Sequence, residues 1–486
     1  MKLTPLVETA RGCPFKCNYC NAGDAYYNKV NQFSNSYVEE ELTYIAKKSD
    51  KHDIGHVTLA DNNFGMIPRD AKTAEIIYNL REKYGWPKSL SAWTGKNSKE
   101  RIIDATRLLG ETISLSMSVQ SMDPQVLENI SRENIKLDHY KTIAKELDKQ
   151  GRPQHAEVII PLPEETFETH IKGLSDLMDT NVSRVLTHTI QILHGTPYAD
   201  DRKYMEKHGY KSKFRIVPLD FGKYDNNYIF DYEVVGIATR TFSFEDYIEA
   251  RKFIFIIDLF YNANTFFALK KYILSNGLKR SEWIKYIYKN VDRFGKSIKH
   301  ILDSFLNETK SELWDSEEEL VKYYSNERNY NKLVSGDAGG NVLYRHIAWM
   351  YSSQSQKLID EIFHLSKEFI NSSDVIVNNA EDEMNELEKF TNCISLDSFK
   401  FDNSVEANKN FKFKYDILSW LRSGDKVALK DFRNHDLITI SFKYEQEQLD
   451  IKHDAITRYG NTLSGIVKLM QRVGGIQRFH RKAIIT

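Results

Sequence analysis

Two rhythms of apolar and polar residues divide the chain. Up to about residue 240, short β-like runs alternate with amphipathic stretches of helical period. The strand-like runs are Leu6–Thr9, His56–Ala60, Leu90–Trp93, Ile113–Ser118, Ala156–Ile160 and Val185–Gln191. The helical stretches are Tyr37–Ser49, Ala71–Tyr84, Lys99–Leu109, Asp123–Ile130, Leu137–Gly151 and Glu168–Thr180. Strands alternating with helices of about 10–15 residues predict a parallel sheet built of β-α units. Right-handed crossovers would close or nearly close that sheet into a partial barrel. Functional groups then belong at the C-terminal ends of its strands.

From Ser243 onward the period is mostly helical. Helices are expected at Phe244–Ala268, Arg280–Leu306, Ser316–Tyr324, Tyr344–Phe369 and Glu381–Phe390, one strand at Leu437–Tyr444, and a final helix at Asp454–Arg472. Ser335–Gly340 reads as a turn, and the polar stretches Asn371–Asn379 and Asp397–Asn408 read as linkers. The most apolar segment, Phe253–Ala268, is shorter than a bilayer requires and carries Asp258, Asn262 and Asn264, so it is expected to be a buried helix. The expected fold class is α/β, with an α/β domain over 1–240 and a mainly α-helical region over 241–486. No motif assigns a purpose to the second part.

Composition narrows the function classes. A chain of 486 residues predicts two or three domains. Lys plus Arg total 67 and Asp plus Glu total 68, a net charge of −1. That balance argues against nucleic acid or an anionic membrane as the main partner. The N-terminus shows no secretory pattern, and four cysteines without one do not suggest a disulfide framework, so a cytoplasmic location is expected.

Three of those four cysteines fall together. Cys13, Cys17 and Cys20 form C-x-x-x-C-x-x-C directly after the first strand. Three thiolates on one loop can hold three irons of a 4Fe–4S cube. The fourth iron would then be open to an exogenous ligand. A structural zinc site normally takes four protein ligands, and this loop has no adjacent His; zinc with a distant fourth ligand is the alternative. Cys393 lies far away, in a polar region.

The spacing, with Tyr19 as the aromatic residue before the last cysteine, resembles the radical S-adenosylmethionine (SAM) superfamily. The resemblance implies a partial (β/α)6 barrel with the cluster on the loop after strand one. It also implies that the open iron binds the amino and carboxylate groups of SAM, and that an electron passed into SAM generates a 5′-deoxyadenosyl radical that abstracts hydrogen from substrate. A low-potential donor such as flavodoxin or ferredoxin would supply the electron.

Further segments fit the same resemblance. Asp61-Asn62-Asn63-Phe64-Gly65, after strand two, looks like the D-x-N-F-G segment of relatives near the cobalamin-dependent branch, and implies that Asp61 and Asn62 meet the SAM amino group. Ser118-Val119-Gln120-Ser121, followed by Leu127 and Arg132, is similar to a region that contacts the ribose and carboxylate of SAM. Gln120 suits hydroxyl recognition and Arg132 suits a carboxylate. Ser121-Met122-Asp123 is equally a plausible helix N-terminus. Glu157-Val158-Ile159-Ile160-Pro161-Leu162-Pro163-Glu164-Glu165-Thr166 matches E-x-I-x-G-L-P-G-E-T except that Pro161 and Glu164 replace glycines. Pro161 offers no N–H and more bulk than glycine, which implies an altered adenine pocket, with Glu157 still within reach of the ribose. Leu193-His194-Gly195-Thr196-Pro197 matches the G-T-P after strand six.

Asp50-Lys51-His52-Asp53-Ile54-Gly55 spells D-x-H-x-x-G, a cobalamin-binding signature, but it lies inside the β/α succession and reads as a solvated connection. Cobalamin-dependent relatives carry the vitamin on a domain before the cluster, and Cys13 is too near Met1 to leave room for one. The chain is then a fragment, works with a separate cobalamin protein, or needs no cobalamin. The expectation is an enzyme that cleaves SAM reductively to modify a small, non-macromolecular substrate, with methyl transfer as one outcome. The alternatives are an iron–sulfur electron-transfer or binding protein without SAM turnover, favoured by Pro161 and Glu164, and a zinc-stabilised interaction protein.

Overall fold

The computed structural model describes residues 3–93, 99–134, 141–142, 154–180, 182–225, 227–377, 379–400, 405–406, 408–473 and 476–485. The expected helix at Leu137–Gly151 falls largely outside them. The chain divides into two compact units: residues 1–213 with 234–247, and residues 214–233 with 248–486.

The first unit is built on a six-stranded parallel sheet: β1 (Leu6–Val7), β2 (His56–Leu59), β3 (Ser89–Trp93), β4 (Ile113–Gln120), β5 (Gln154–Ile160) and β6 (Arg184–Thr189). The strands pair in chain order, with β1 and β6 at the two ends. Every expected strand is present. Alternation along them sorts the two faces. Val57, Leu59, Leu90, Ala92, Ala156, Val158, Ile160 and Val185 are buried. His56, Thr58, Ser91, His155 and Glu157, one residue out of step, are only half-buried and line the opposite face.

The connecting helices follow from local sequence. Ser34 accepts a hydrogen bond from Tyr37 N at the start of the helix Asn35–Ser49, whose buried residues Val38, Leu42, Ala46 and Ser49 recur at helical spacing. The helix Asp70–Tyr84 ends on Gly85 at φ 66°. Asp123 caps Pro124–Asn129, accepting from Gln125 N and Val126 N. Thr166 and Thr169 form a capping box at Phe167–Met178. Asp50–His52 forms a single 3-10 turn, exposed, between helix and β2.

Beyond β6 the pattern reading misses a long hairpin, β7 (Lys211–Tyr224) and β8 (Asn227–Ala238). Up to Val234 its strands bury only Ile216 and Phe230 among the described residues, so apolar alternation is weak, and Pro218 and Gly222 interrupt the first.

In the second unit three expected helices are broken. Phe244–Ile256 passes into a π-helical turn, Ile257–Asn262, and a bend of 90° precedes Phe267–Ser275. Asn264 sits at φ 57° in the bend, and the buried Lys270 donates to the freed Tyr261 carbonyl at 2.7 Å. Such a donor makes an interior break tolerable. Arg280–Lys289 and Lys296–Ser311 are parted by a 3-10 turn and Gly295. Gln446–Tyr459 and Leu463–Val473 are parted by Gly460 at φ 76°. The long helix Val342–Asn371 lies at the centre, with Tyr351 donating to the Leu259 carbonyl at 2.6 Å and the Trp283 indole donating to Ser366 Oγ at 2.8 Å. A three-stranded antiparallel sheet completes the unit: β9 (Asn408–Tyr415), β10 (Arg433–Lys443) and β11 (Lys482–Ile485). Only β10 is anticipated by the pattern. No single helix among the described residues is long and apolar enough to cross a membrane.

One buried carboxyl links the sheet to its helices. Asp70 accepts from Gly65 N at 2.7 Å and Ile67 N at 3.1 Å, fixing the turn after β2. Burial pushes its pKa up to about 6. An unfolded Asp titrates near pH 4, so the protonated form favours the folded state. That contribution is complete below about pH 4 and is lost as pH rises through about 6. The melting temperature of Asp70→Asn, followed by circular dichroism from about pH 4 to 7, should gain on wild type as pH rises, by the equivalent of at most about 3 kcal/mol.

Candidate active site

The cysteine loop leaves β1 and is closed at its base. Ala10–Arg11 pairs antiparallel with Asn31–Gln32, so residues 12–30 form a loop with joined ends. Within it Cys13 N donates to Tyr27 O at 2.8 Å, Cys20 N to Cys17 O at 3.2 Å and Gly23 N to Cys20 O at 2.8 Å. The turns are too tight for side chains at two points. A Cβ on Gly12, which has φ 114°, would lie 2.3 Å from Lys29 O, and one on Gly23 would lie 2.2 Å from Cys17 O.

The loop is stitched to its surroundings. Asn18 Nδ2 donates to Asn129 O at 2.9 Å and to Tyr204 Oη at 3.0 Å, and Asn21 Nδ2 donates to His194 O at 3.0 Å. Arg132, buried, gives all three of its nitrogens to protein: Nε to Asn134 Oδ1 at 2.7 Å, one terminal nitrogen to Tyr19 Oη at 2.6 Å, and the other to the Ser118 carbonyl. Tyr19 Oη also hydrogen-bonds Cys17, and burial, the largest influence, pushes the phenol well above its ordinary pKa.

A cavity of about 490 Å³ opens beside the loop at the C-terminal ends of the strands. Cys13, Cys20, Asp61, Asn62, Ser118, Gln120 and Arg132 all line it. Sequence reasoning therefore names seven residues that share one wall. Cys17 lies beneath, 2% exposed, packed with Tyr19, Val126, Ile130 and Leu162. Glu157 reaches the wall through Ser118, whose hydroxyl donates to its carboxylate, and His155 approaches the same carboxylate at 3.3 Å.

The roles available to these groups differ. Asp61 is committed: Thr9 N donates to Oδ1 at 2.6 Å and Thr9 Oγ1 to Oδ2 at 2.5 Å, joining the ends of β1 and β2. Burial raises its pKa above the ordinary carboxyl value. Gln120, at φ 63° where the β4–β5 register shifts, is buried, and its carboxamide has no partner among the described residues. Asn62 Nδ2 lies 3.5 Å from Gly12 O. Asn63, which sequence reasoning passes over, is 7% exposed; its Nδ2 donates to Cys13 Sγ at 3.2 Å while its buried Oδ1 has no partner. Its signal lay in the D-x-N-F-G segment, where alternation makes Asp61 and Asn63, not Asn62, the buried pair. Trp93, at the end of β3, also lines the cavity.

The loop after β5 carries the two departures. Glu164 adopts φ 64°, a conformation that favours glycine. Its carboxylate meets Arg240 at 2.6 Å and His208 Nδ1 at 3.1 Å. Burial pushes its pKa up, but these two partners outweigh burial and leave it below the ordinary value. Pro161 presents its carbonyl to Tyr210 Oη at 3.0 Å.

Three thiols on one closed loop, an adjoining cavity and an orphaned buried amide oxygen beside a thiol fit a cluster with one open iron. Among the described residues no three His, Cys, Asp or Glu side chains, the loop's own cysteines included, converge as ligands of a single ion. The model of the radical SAM superfamily matches residues 7–176.

This stretch is a radical SAM domain.

That family uses a 4Fe–4S cluster and SAM. Two curated relatives share the region. The cobalamin-dependent radical SAM methyltransferase TokK of Streptomyces tokunonensis is 29% identical over 220 residues, 44% of this chain and 31% of that protein. The 2-(S-pantetheinyl)-carbapenam-3-carboxylate methyltransferase of Streptantibioticus cattleyicolor is 30% identical over 205 residues, 40% of this chain and 29% of that protein. The aligned stretch thus spans less than a third of each relative's length. Among solved structures, the cobalamin-dependent SAM radical enzyme OxsB with aqua-cobalamin and SAM bound is 14% identical, with a TM-score of 0.38, covering 79% of this chain and 57% of that one.

The loop makes its own prediction. In Gly23→Ala the added methyl meets the Cys17 carbonyl, so the turn between Cys17 and Cys20 cannot close as it stands. After anaerobic reconstitution this variant should lose most of the protein-bound iron and sulfide of wild type, with an unchanged far-ultraviolet dichroism spectrum.

Proposed function

We propose that the chain holds a 4Fe–4S cluster on Cys13, Cys17 and Cys20 and cleaves SAM reductively to modify a small, non-macromolecular substrate. The observation that carries this reading is the shared wall on which Cys13, Cys20, Asn62, Ser118, Gln120 and Arg132 meet. When bound, such a cluster supplies one electron, which breaks a carbon–sulfur bond of SAM to give methionine and, after hydrogen abstraction, 5′-deoxyadenosine.

The chain's own residues then divide the work. Asn63 donates to the Cys13 sulfur and offers its free Oδ1 to an ammonium donor, with Asn62 beside it. Gln120 and the Ser118–Glu157 pair present hydrogen-bonding groups suited to ribose hydroxyls. Asp61 and Arg132 contribute mainly by holding the wall in place, because their polar atoms are already committed. Pro161 and Glu164 give the adenine side a wall that glycines would not, so base recognition there rests on shape and on carbonyl acceptors. The division into a SAM-cleaving unit over 1–240 and a separate region over 241–486 belongs to the same reading.

The two curated relatives are methyltransferases by name, which favours methyl transfer over other outcomes, with cobalamin as an added requirement. An electron-transfer role without SAM turnover is the competing reading.

Anaerobically reconstituted protein with reductant and SAM should release 5′-deoxyadenosine, and Cys17→Ala should release none. A bound cluster that leaves SAM intact under several reductants would favour the electron-transfer role; bound zinc without iron would sink both. Asn63→Ala should keep its iron while deoxyadenosine formation falls on the order of 10–100-fold. S-adenosylhomocysteine appearing only when cobalamin is added would establish methyl transfer.

A further inference from the structure

The three sulfurs of the cysteine loop stand in unequal surroundings. Cys13 and Cys17 are buried, whereas Cys20 is half-buried and open to water. Each buried sulfur has a protein partner. Asn63 Nδ2 donates to Cys13 Sγ at 3.2 Å. Tyr19, itself buried, hydrogen-bonds Cys17 through its phenol. The phenol oxygen accepts from Arg132 at 2.6 Å. A thiolate carries no proton, so once Cys17 is ionised the phenol is the donor in their bond. Cys20 Sγ, the sulfur that water reaches, has no hydrogen-bond partner among the described residues.

Charge follows the same pattern. Arg132 is 5% exposed, and its nitrogens go to Tyr19, Asn134 and the Ser118 carbonyl, all uncharged groups. No carboxylate pairs with it among the described residues. A buried cation without counter-charge is costly. Three thiolates on an iron–sulfur core would supply negative charge one phenol away from it. Reduction of such a core adds a further negative charge in the same place. In a dry surrounding that step is unfavourable unless donors and cations face the sulfurs. Hydrogen bonds to the sulfurs are among the influences that set the potential of a cluster. Here the donors stand where burial excludes water, and none stands at the sulfur that water can serve.

Given a cluster on Cys13, Cys17 and Cys20, the reading on which this rests, we propose that Asn63 and Tyr19 raise its reduction potential by donating to the Cys13 and Cys17 sulfurs. Arg132 is then a positioning residue, which aligns and polarises the Tyr19 hydroxyl. The test is a redox titration of the anaerobically reconstituted full chain without SAM, followed by electron paramagnetic resonance of the reduced cluster. Tyr19→Phe and Asn63→Ala should each make reduction on the order of tenfold less favourable, a fall of about 59 mV for one electron. Asn21→Ala loses a loop contact to the His194 carbonyl but no sulfur donor, so it should keep the wild-type potential. Replacement of Tyr19 by 3-fluorotyrosine keeps the ring and makes the phenol a stronger donor, so there the potential should rise. That protein decides the role of Tyr19 even if Tyr19→Phe fails to assemble a cluster. An unchanged potential in Asn63→Ala, an unchanged potential in the fluorotyrosine protein, or an equal fall in Asn21→Ala would overturn the proposal while the cluster still stands. A wild type that takes up no iron and sulfide would overturn the cluster reading itself, and the proposal with it.

Discussion

A single guanidinium organises the radical SAM domain's site. Arg132 joins three separately encoded pieces: the cysteine loop through Tyr19, the end of β4 through Ser118, and its own connection through Asn134. A buried arginine with every nitrogen satisfied is rigid, and one with a missing partner is costly. Asp61, which lines the same cavity, clamps Thr9, tying β1 to β2 at the point where the cysteine loop departs. Among these fastenings two unpartnered groups remain: the Gln120 carboxamide, on a residue that lines the cavity, and the buried Asn63 Oδ1. Preorganisation of this kind is what lets a polar site act without first reordering itself.

Much of this domain was legible in the sequence because its signals are local. A parallel strand buried on one face alternates cleanly, as β2, β3 and β5 do. A cysteine triplet needs no tertiary context to be seen. What escaped depends on partners distant in the chain. The bonds of Asp61 to Thr9 and of Arg132 to Tyr19 and Ser118 have no sequence signature, and Asn63 hid behind its neighbour. A two-residue strand such as β1 can be placed by its loop, but which of three adjacent polar residues turns toward a thiol is settled only by the pleat.

The second unit was harder to read for a different reason. Two of its three interruptions fall at a glycine, Gly295 and Gly460, but the one in the most apolar helix has none. Asn264 and Thr265 do not announce a right-angled bend; Lys270, which rescues the freed carbonyl, lies beyond it. Strand β9 carries Asn408, Asn410, Lys412 and Lys414 on an exposed face, so its mean hydropathy resembles that of a loop, and β11 is only four residues long. Tertiary burial, not propensity, makes these segments strands.

Glu164 has a consequence for how this sequence can change. Holding a carboxylate-bearing residue in the left-handed region costs on the order of 1–2 kcal/mol, and a glycine there would relieve it. The same exchange would strip the nearly buried His208 of its acceptor and leave Arg240 unmatched. Glycine at 164 is therefore neutral or better only after position 208 has changed, and a substitution at 208 made first leaves Glu164 strained with one partner fewer. The three positions are epistatic, so each is expected to vary with the others, and a chain carrying any one of them alone is the least stable member of the series.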